Sequence, residues 1–181
     1  GTNIQYQSCG IAILGEIVER ITGSSLPEFL RGEIFSPLGM HDTSLGIGNL
    51  QTDRVAHVNV GKEMQNVDWG WNKPYWQNFG APWGGMFSTV NDMFRFCQTF
   101  VNGGEFDGTR VFSLATIKAM TSDQTTSMPK IPSEIKSGRV WGLGWRLQPT
   151  ADWSAFGDLV SPGSFGHYGA TGTVVWADPF S

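Results

Sequence analysis

Residues 127–130 read Ser-Met-Pro-Lys. A serine and a lysine one helical turn apart can form a nucleophile and its base. That chemistry needs the serine held at a helix N-terminus, where backbone N–H groups and the helix dipole assist it. The lysine must be partly desolvated on the same face, so that it can take a proton. Ser127 and Lys130 meet the spacing alone. Pro132 follows almost at once, no apolar stripe continues the turn, and the surrounding stretch "TSDQTTSMPKIPSEIKSGR" reads as an exposed polar loop. A lysine in such a loop stays protonated at neutral pH. Ser133-Glu134-Ile135-Lys136 repeats the spacing six residues later, so the pattern is cheap, and we assign it no catalytic role.

Other reactive side chains are sparse. His41, His57 and His167 show neither an HExxH pattern nor Cys/His pairing, so the sequence implies no metal site and no cofactor. Cys9 and Cys97 lie far apart among apolar residues and read as free thiols, since a disulfide framework needs more of them. Net charge is −4 and no run of Lys or Arg occurs, which argues against a nucleic-acid or anionic-membrane partner. No stretch reads as a transmembrane segment. Hydrophobic residues make up 40% of the 181, enough for a sizeable core.

The elements that must position any site read as helices first and strands last. Ile11, Leu14, Val18 and Ile21 form an amphipathic helical stripe, with Gly23 as its stop. Ser25 and Glu28 form a capping box that opens a second helix to about Phe35. Residues 41–83 read as loop. Within them "DWGWNKPYWQNFGAPW" has six rings in sixteen residues, fitting a loop folded over its own core, the wall of a substrate cleft, or both. A third helix is expected from Thr89, turning Met93, Phe94, Cys97, Phe100 and Val101 inward and stopping at Gly103-Gly104. A fourth follows Ser113. Residues 140–148 ("VWGLGWRLQ") and 173–177 ("TVVWA") alternate like strands. The expected class is α+β of the α/β sandwich type. Residues 1–139 would be a mostly helical and loop region of one partial domain, and 140–181 its sheet strands.

Three long segments, in order, carry a resemblance. "YQSCGIAILGEIVERITGSSLPEFLRGEIFSPLGMHDTSLG", "PWGGMFSTVNDMFRFCQTFVNGG" and "FGHYGATGTVVWADP" resemble the serine β-lactamase and penicillin-binding-protein superfamily, in particular its class C-type hydrolases and esterases. The resemblance implies a β-lactamase/transpeptidase-like fold, here incomplete, with a helical region and part of the antiparallel sheet. It also implies site residues. Tyr6 stands at the family tyrosine, where a phenol assisted by a neighbouring lysine shuttles a proton between serine and leaving group. Ser8 stands at the family asparagine, where it would contact substrate or else cap the helix. A hydroxyl lacks the amide's donor–acceptor pair and reach, which weakens the match to a lactam or peptide amide. His167-Tyr168-Gly169 takes the place of Lys-Thr-Gly. His167 would donate to a substrate carboxylate or carbonyl, Gly169 would admit substrate close to the strand, and the Ala170 N–H would serve the oxyanion hole.

In that family the Ser-x-x-Lys pair precedes the tyrosine element by many tens of residues. Only five residues precede Tyr6 here, and Ser127-Lys130 lies on the wrong side of it. The expectation is therefore a fragment without its nucleophile, inactive alone, cut from a serine hydrolase that forms an acyl-enzyme. Its partner would be a small-molecule ester, β-lactam or D-amino-acid peptide, with oligomeric state open. The alternative is a non-catalytic binding or scaffold module of the same fold.

Overall fold

The computed structural model describes residues 3–133, 140–148 and 156–180. Residues 134–139, the end of the stretch read as an exposed loop, lie outside the described residues. The chain divides into two compact units: Gln7–Arg95, and Gly1–Tyr6 with Phe96–Ser181.

The first unit opens with helix α1 (Ser8–Thr22), which ends at Gly23 in the left-handed conformation with its N–H on Glu19 O. The apolar stripe of α1 is present, but Ile11, Leu14 and Ile21 are exposed. The buried point of the helix is Gly15, where a Cβ would stand 3.0 Å from Pro82 Cγ and 3.1 Å from Leu26 Cδ2. Absence of a side chain, rather than the stripe, thus sets how closely α1 approaches its neighbours. Ser25 and Glu28 make the expected capping box at α2 (Leu26–Leu30), with Ser25 Oγ donating to Glu28 Oε2 at 2.7 Å. That hydroxyl, then the Ser25 N–H, holds the Glu28 carboxyl below its usual range. The helix runs on to Phe35 as predicted, but Arg31–Phe35 is wound as a π-helix.

The predicted loop of 41–83 contains short elements. Strand β1 (Ser44–Leu45) pairs with β2 (Met86–Phe87), and helices α3 (Lys62–Gln65) and α4 (Pro74–Phe79) lie between them in sequence. The core of this unit includes Leu26, Phe35, Leu38, Met40, Leu45, Ile47 and Ala81. A buried polar node fixes its chain crossing: Asp92 Oδ2 accepts from the Asp42 N–H (2.9 Å) and Thr43 Oγ1 (2.8 Å). The clustered rings of the tryptophan-rich stretch stack on one another, Tyr75 on Phe79 at 5.8 Å and Phe79 edge-on to Trp83 at 5.8 Å.

Helix α5 (Val90–Val101) buries Cys97 and Phe100, with Met93 half-buried. Phe94 and Val101, expected inward, are exposed. They are seven residues apart and share one face, turned roughly 100° from that of Met93, Cys97 and Phe100. After α5 come the hairpin β3 (Glu105–Phe106) and β4 (Thr109–Arg110), and then α6 (Leu114–Met120), whose N-cap Ser113 accepts the Thr116 N–H at 3.0 Å.

Strands β5 (Arg146–Leu147), β6 (Phe165–Tyr168) and β7 (Val174–Ala177) form an antiparallel sheet in the order β5-β6-β7. The stretch 140–148, predicted as one strand, is instead a tight hairpin. Trp141 bridges to Arg146, and the Gly142 N–H donates to Trp145 O. Gly144 turns the chain at φ +83°, a conformation that favours glycine. Phe100, Ile117, Val140, Trp145, Leu147 and Phe165 form the buried cluster beneath this sheet, with Phe96, Phe112, Met120, Val175 and Ala177 packed against it.

Both thiols are free, Cys9 exposed and Cys97 buried. Burial pushes the Cys97 thiol up to about 11. The unfolded thiol ionises first, so stability is whole below its value and declines as pH rises through the folded one. Unfolding free energy from urea titrations should fall between about pH 9 and about 11, and Cys97→Ala should flatten that part of the profile. A thiol-specific chromogenic reagent should modify Cys9 but not Cys97 in the native protein. An unchanged slope in Cys97→Ala would refute the assignment.

Candidate active site

Four of the five residues marked in the sequence lie in the unit that contains the β5-β6-β7 sheet: Tyr6, His167, Gly169 and Ala170. The fifth, Ser8, is the first residue of α1 in the other unit. The N-cap is Gln7, without a side-chain cap bond, so Ser8 is not the cap of that helix.

Tyr6 and His167 are 161 positions apart in sequence, yet their ring centroids are 5.9 Å apart. A third ring joins them. Trp141 is 6.0 Å from Tyr6 and 5.6 Å from His167, so the three rings form a triangle. Tyr6 is 62% exposed and belongs to no helix or strand. Among the described residues, its side chain is positioned by these ring contacts.

His167 is positioned from its strand. Side chains alternate across a strand, so His167 projects on the same side as Phe165, which is buried in the core. The register pairs His167 with Val175 across β6 and β7. At the neighbouring position, Gly166, a Cβ would stand 2.7 Å from Trp176 Cβ and also strike the Val175 carbonyl oxygen. His167 Nδ1 lies 2.7 Å from Tyr168 O. A carbonyl oxygen only accepts, so this bond requires the proton on Nδ1. The neutral ring then presents Nε2 as an acceptor, and Nε2 donates only when both nitrogens are protonated. The expected donation by His167 to a substrate therefore belongs to its charged form.

Gly169 and Ala170 lie in the turn joining β6 to β7. The Gly169 N–H donates to Thr173 O at 2.8 Å, and Gly172 N–H to Gly169 O at 3.1 Å. A Cβ on Gly169 would stand 2.6 Å from Thr173 Oγ1, so the turn itself constrains that position. Ala170 is exposed, and among the described residues no acceptor takes its N–H.

Three participants were not singled out in the sequence. Trp141 was read only as part of a strand. Tyr168 lies 5.6 Å from His167, and the Arg146 guanidinium lies 5.7 Å from the Tyr168 ring centre, with Nη1 donating to its hydroxyl at 3.4 Å. The paired glycines of "WGLGW" were the available signal, since they mark a turn that reverses the chain beside the strand carrying His167. Ser127 and Lys130 are exposed in a run of turns from Thr125 to Ile131, not on a helix. Among the described residues, no group of three His, Cys, Asp or Glu side chains could hold a metal ion. Nor is any described helix long and apolar enough to cross a membrane.

The fold and the order of its segments define an α+β protein of the β-lactamase and penicillin-binding-protein type. The Beta-lactamase family model matches residues 1–180, and the chain belongs to that family. It is 34% identical over 175 residues to penicillin-binding protein 4 of Amycolatopsis lactamdurans, spanning 94% of this chain and 42% of that protein. Among solved structures, it superposes on EstCE1, a hydrolase with promiscuous acyltransferase activity, with a TM-score of 0.71 at 18% identity, covering 98% of this chain and 49% of the other. A family VIII carboxylesterase matches with a TM-score of 0.68 at 24% identity, over 92% and 47% of the two chains. The chain thus spans less than half the length of these relatives.

The hairpin that carries Trp141 can be tested directly. A Cβ at Gly142 would overlap the Met120 carbonyl oxygen and lie 2.9 Å from Met120 C. Gly142→Ala should cost about 1–3 kcal/mol in chemical denaturation. At Gly10, in α1, nothing lies within 4 Å of the added carbon, so Gly10→Ala should be neutral or stabilise by up to about 1 kcal/mol. Equal stability of the two variants would contradict the packing described.

Proposed function

We propose that this chain is part of a serine hydrolase that works through an acyl-enzyme, and that Tyr6 and His167 belong to its active site. The observation that carries the reading is the meeting of Tyr6 and His167 within 5.9 Å from opposite ends of the sequence. Both occupy positions that the family resemblance marks for chemistry. The attacking serine and its lysine are contributed by sequence outside these 181 residues, because Ser127 and Lys130 stand exposed in turns. The isolated chain is therefore inactive.

In this scheme the serine oxygen attacks the substrate carbonyl while its proton passes to the Tyr6 oxygen, and the Tyr6 hydroxyl proton passes in the same step to the neutral amine of the serine's lysine partner. The negative oxygen of the tetrahedral intermediate rests on the Ala170 N–H and the N–H of the serine. The carbon–leaving-group bond then breaks, and Tyr6 returns the proton to the departing alcohol or amine. Water repeats the sequence in reverse and releases the acid. Substrates are esters, lactams or D-amino-acid peptides. Ser8 at the asparagine position, and a histidine where the family carries a permanently charged lysine, favour esters among them. The fold likeness to a carboxylesterase agrees with that order.

The test uses the full-length protein containing this chain. A chromogenic short-chain ester and nitrocefin report turnover, and a fluorophosphonate probe reports an activated serine. Tyr6→Phe should lower kcat by about 10²–10⁴-fold, and His167→Ala should also lower it, with both variants retaining the wild-type melting temperature. The 181-residue chain alone should neither turn over substrate nor take the label. Undiminished turnover in a folded Tyr6→Phe variant would remove Tyr6 from the mechanism. Absence of both labelling and turnover in the full-length protein would favour a binding module.

A further inference from the structure

We propose that Trp141 is a specificity-determining residue of this site, and that it selects substrates whose acyl group carries a flat aromatic ring. The inference rests on the reading of Tyr6 and His167 as active-site residues. It goes beyond that reading by assigning a substrate class and a residue that chooses it.

Trp141 touches both proposed reacting partners, at 6.0 Å from Tyr6 and 5.6 Å from His167. A group bound to either one therefore meets the indole. The indole is half-buried, leaving part of its surface to a ligand. The backbone that carries it is also held firmly in place. The Trp141 carbonyl accepts the Gln124 N–H at 2.8 Å, and the backbone bridges to Arg146. On either side, Gly142 N–H donates to Trp145 O at 2.9 Å and Leu147 N–H to Val140 O at 3.0 Å. An indole on such a backbone, with the Tyr6 and His167 rings beside it, loses less freedom when a ligand stacks on it.

The neighbouring chemistry points to an uncharged aromatic group. Tyr168, half exposed, lies 5.6 Å from His167, so His167 has rings beside it from three residues: Tyr6, Trp141 and Tyr168. Among the described residues, Arg146 is a cation near this group, and it is engaged with the Tyr168 hydroxyl and ring. Aromatic pairs prefer offset or edge-on packing with ring centres about 4.5–7 Å apart. An acyl ring at that distance from Trp141 would gain contact that a short alkyl chain lacks. An added stacking partner corresponds to a preference of roughly tenfold.

The test compares phenylacetyl and acetyl esters of one chromogenic alcohol, so that the leaving group is constant. In the full-length protein, Trp141→Ala should reduce the phenylacetyl-to-acetyl ratio of kcat/KM by roughly tenfold, and Trp141→Phe should retain most of it. An equal loss on both esters would make Trp141 a positioning residue for Tyr6 and overturn the proposal, as would no loss on either. A second arm needs no turnover: phenylacetamide is titrated into wild type and Trp141→Ala while the His167 and Tyr6 ring resonances are followed by NMR. Should the wild type hydrolyse neither ester, Trp141-dependent shifts with phenylacetamide would sustain the aromatic subsite while the hydrolase reading failed. Absence of shifts in the wild type, or shifts unchanged in Trp141→Ala, would overturn the subsite.

Discussion

The packing of Phe165 against Trp145 and Phe100 is the contact on which the candidate site depends. The ring centres are 5.1 Å apart for Phe165–Trp145, 5.1 Å for Phe100–Trp145 and 5.9 Å for Phe100–Phe165. Each ring belongs to a different element. Phe165 begins β6, Trp145 closes the 140–147 hairpin, and Phe100 lies near the end of α5. Seating Phe165 in the core sets the phase of β6, and two residues on, that phase directs His167. Seating Trp145 anchors the hairpin whose other arm carries Trp141. One aromatic cluster therefore fixes two members of the ring triangle, at about 0.5–1.5 kcal/mol per aromatic pair beyond burial alone. A slip of one residue in β6 would turn His167 away from the face it shares with Phe165.

Tyr6 depends on this arrangement differently. It has no strand or helix of its own, and its ring contacts give it a place only after the sheet and hairpin have formed. The contact with His167 closes a long loop of chain, whose entropy cost grows slowly with length but must be met by few interactions. Tyr6 is thus the least firmly held of the three rings, and the proposed proton carrier is the part most sensitive to its surroundings. The segment order supports this view: a residue ahead of α1 is brought to a sheet made from the last strands.

Local signals were legible in the sequence and distant ones were not. The Ser25–Glu28 capping box, the Gly23 stop of α1 and the Ser113 cap of α6 each involve residues within a few positions of one another, and each is present. The faces were harder to read. The stripe on α1 remains exposed and the helix is buried at Gly15, because close approach depends on what is missing from a residue. Phe94 and Val101 were placed inward from apolarity alone, although a helix has room for only one inward face. Alternation in "VWGLGWRLQ" mimicked a strand, while its two glycines determined a reversal. The resemblance singled out Tyr6 and His167, whose rings the structure brings within 5.9 Å. Trp141 was not legible, because its role depends on where a hairpin lies against a strand more than twenty residues away.

The tautomer of His167 ties the strand to the choice of substrate within the proposed function. A lysine at this position would offer permanent positive charge and only donors. His167 instead commits its Nδ1 proton to the carbonyl of the next residue in its own strand, at 2.7 Å. The neutral ring is left with the Nε2 lone pair. That lone pair repels a substrate carboxylate and can receive a hydroxyl or amide proton. The ring triangle acts in the same direction, because a phenol, an indole and an imidazole side by side present mostly apolar surface. Within the proposed function, local backbone bonding and ring packing, two independent features of this chain, thus favour a neutral acyl substrate.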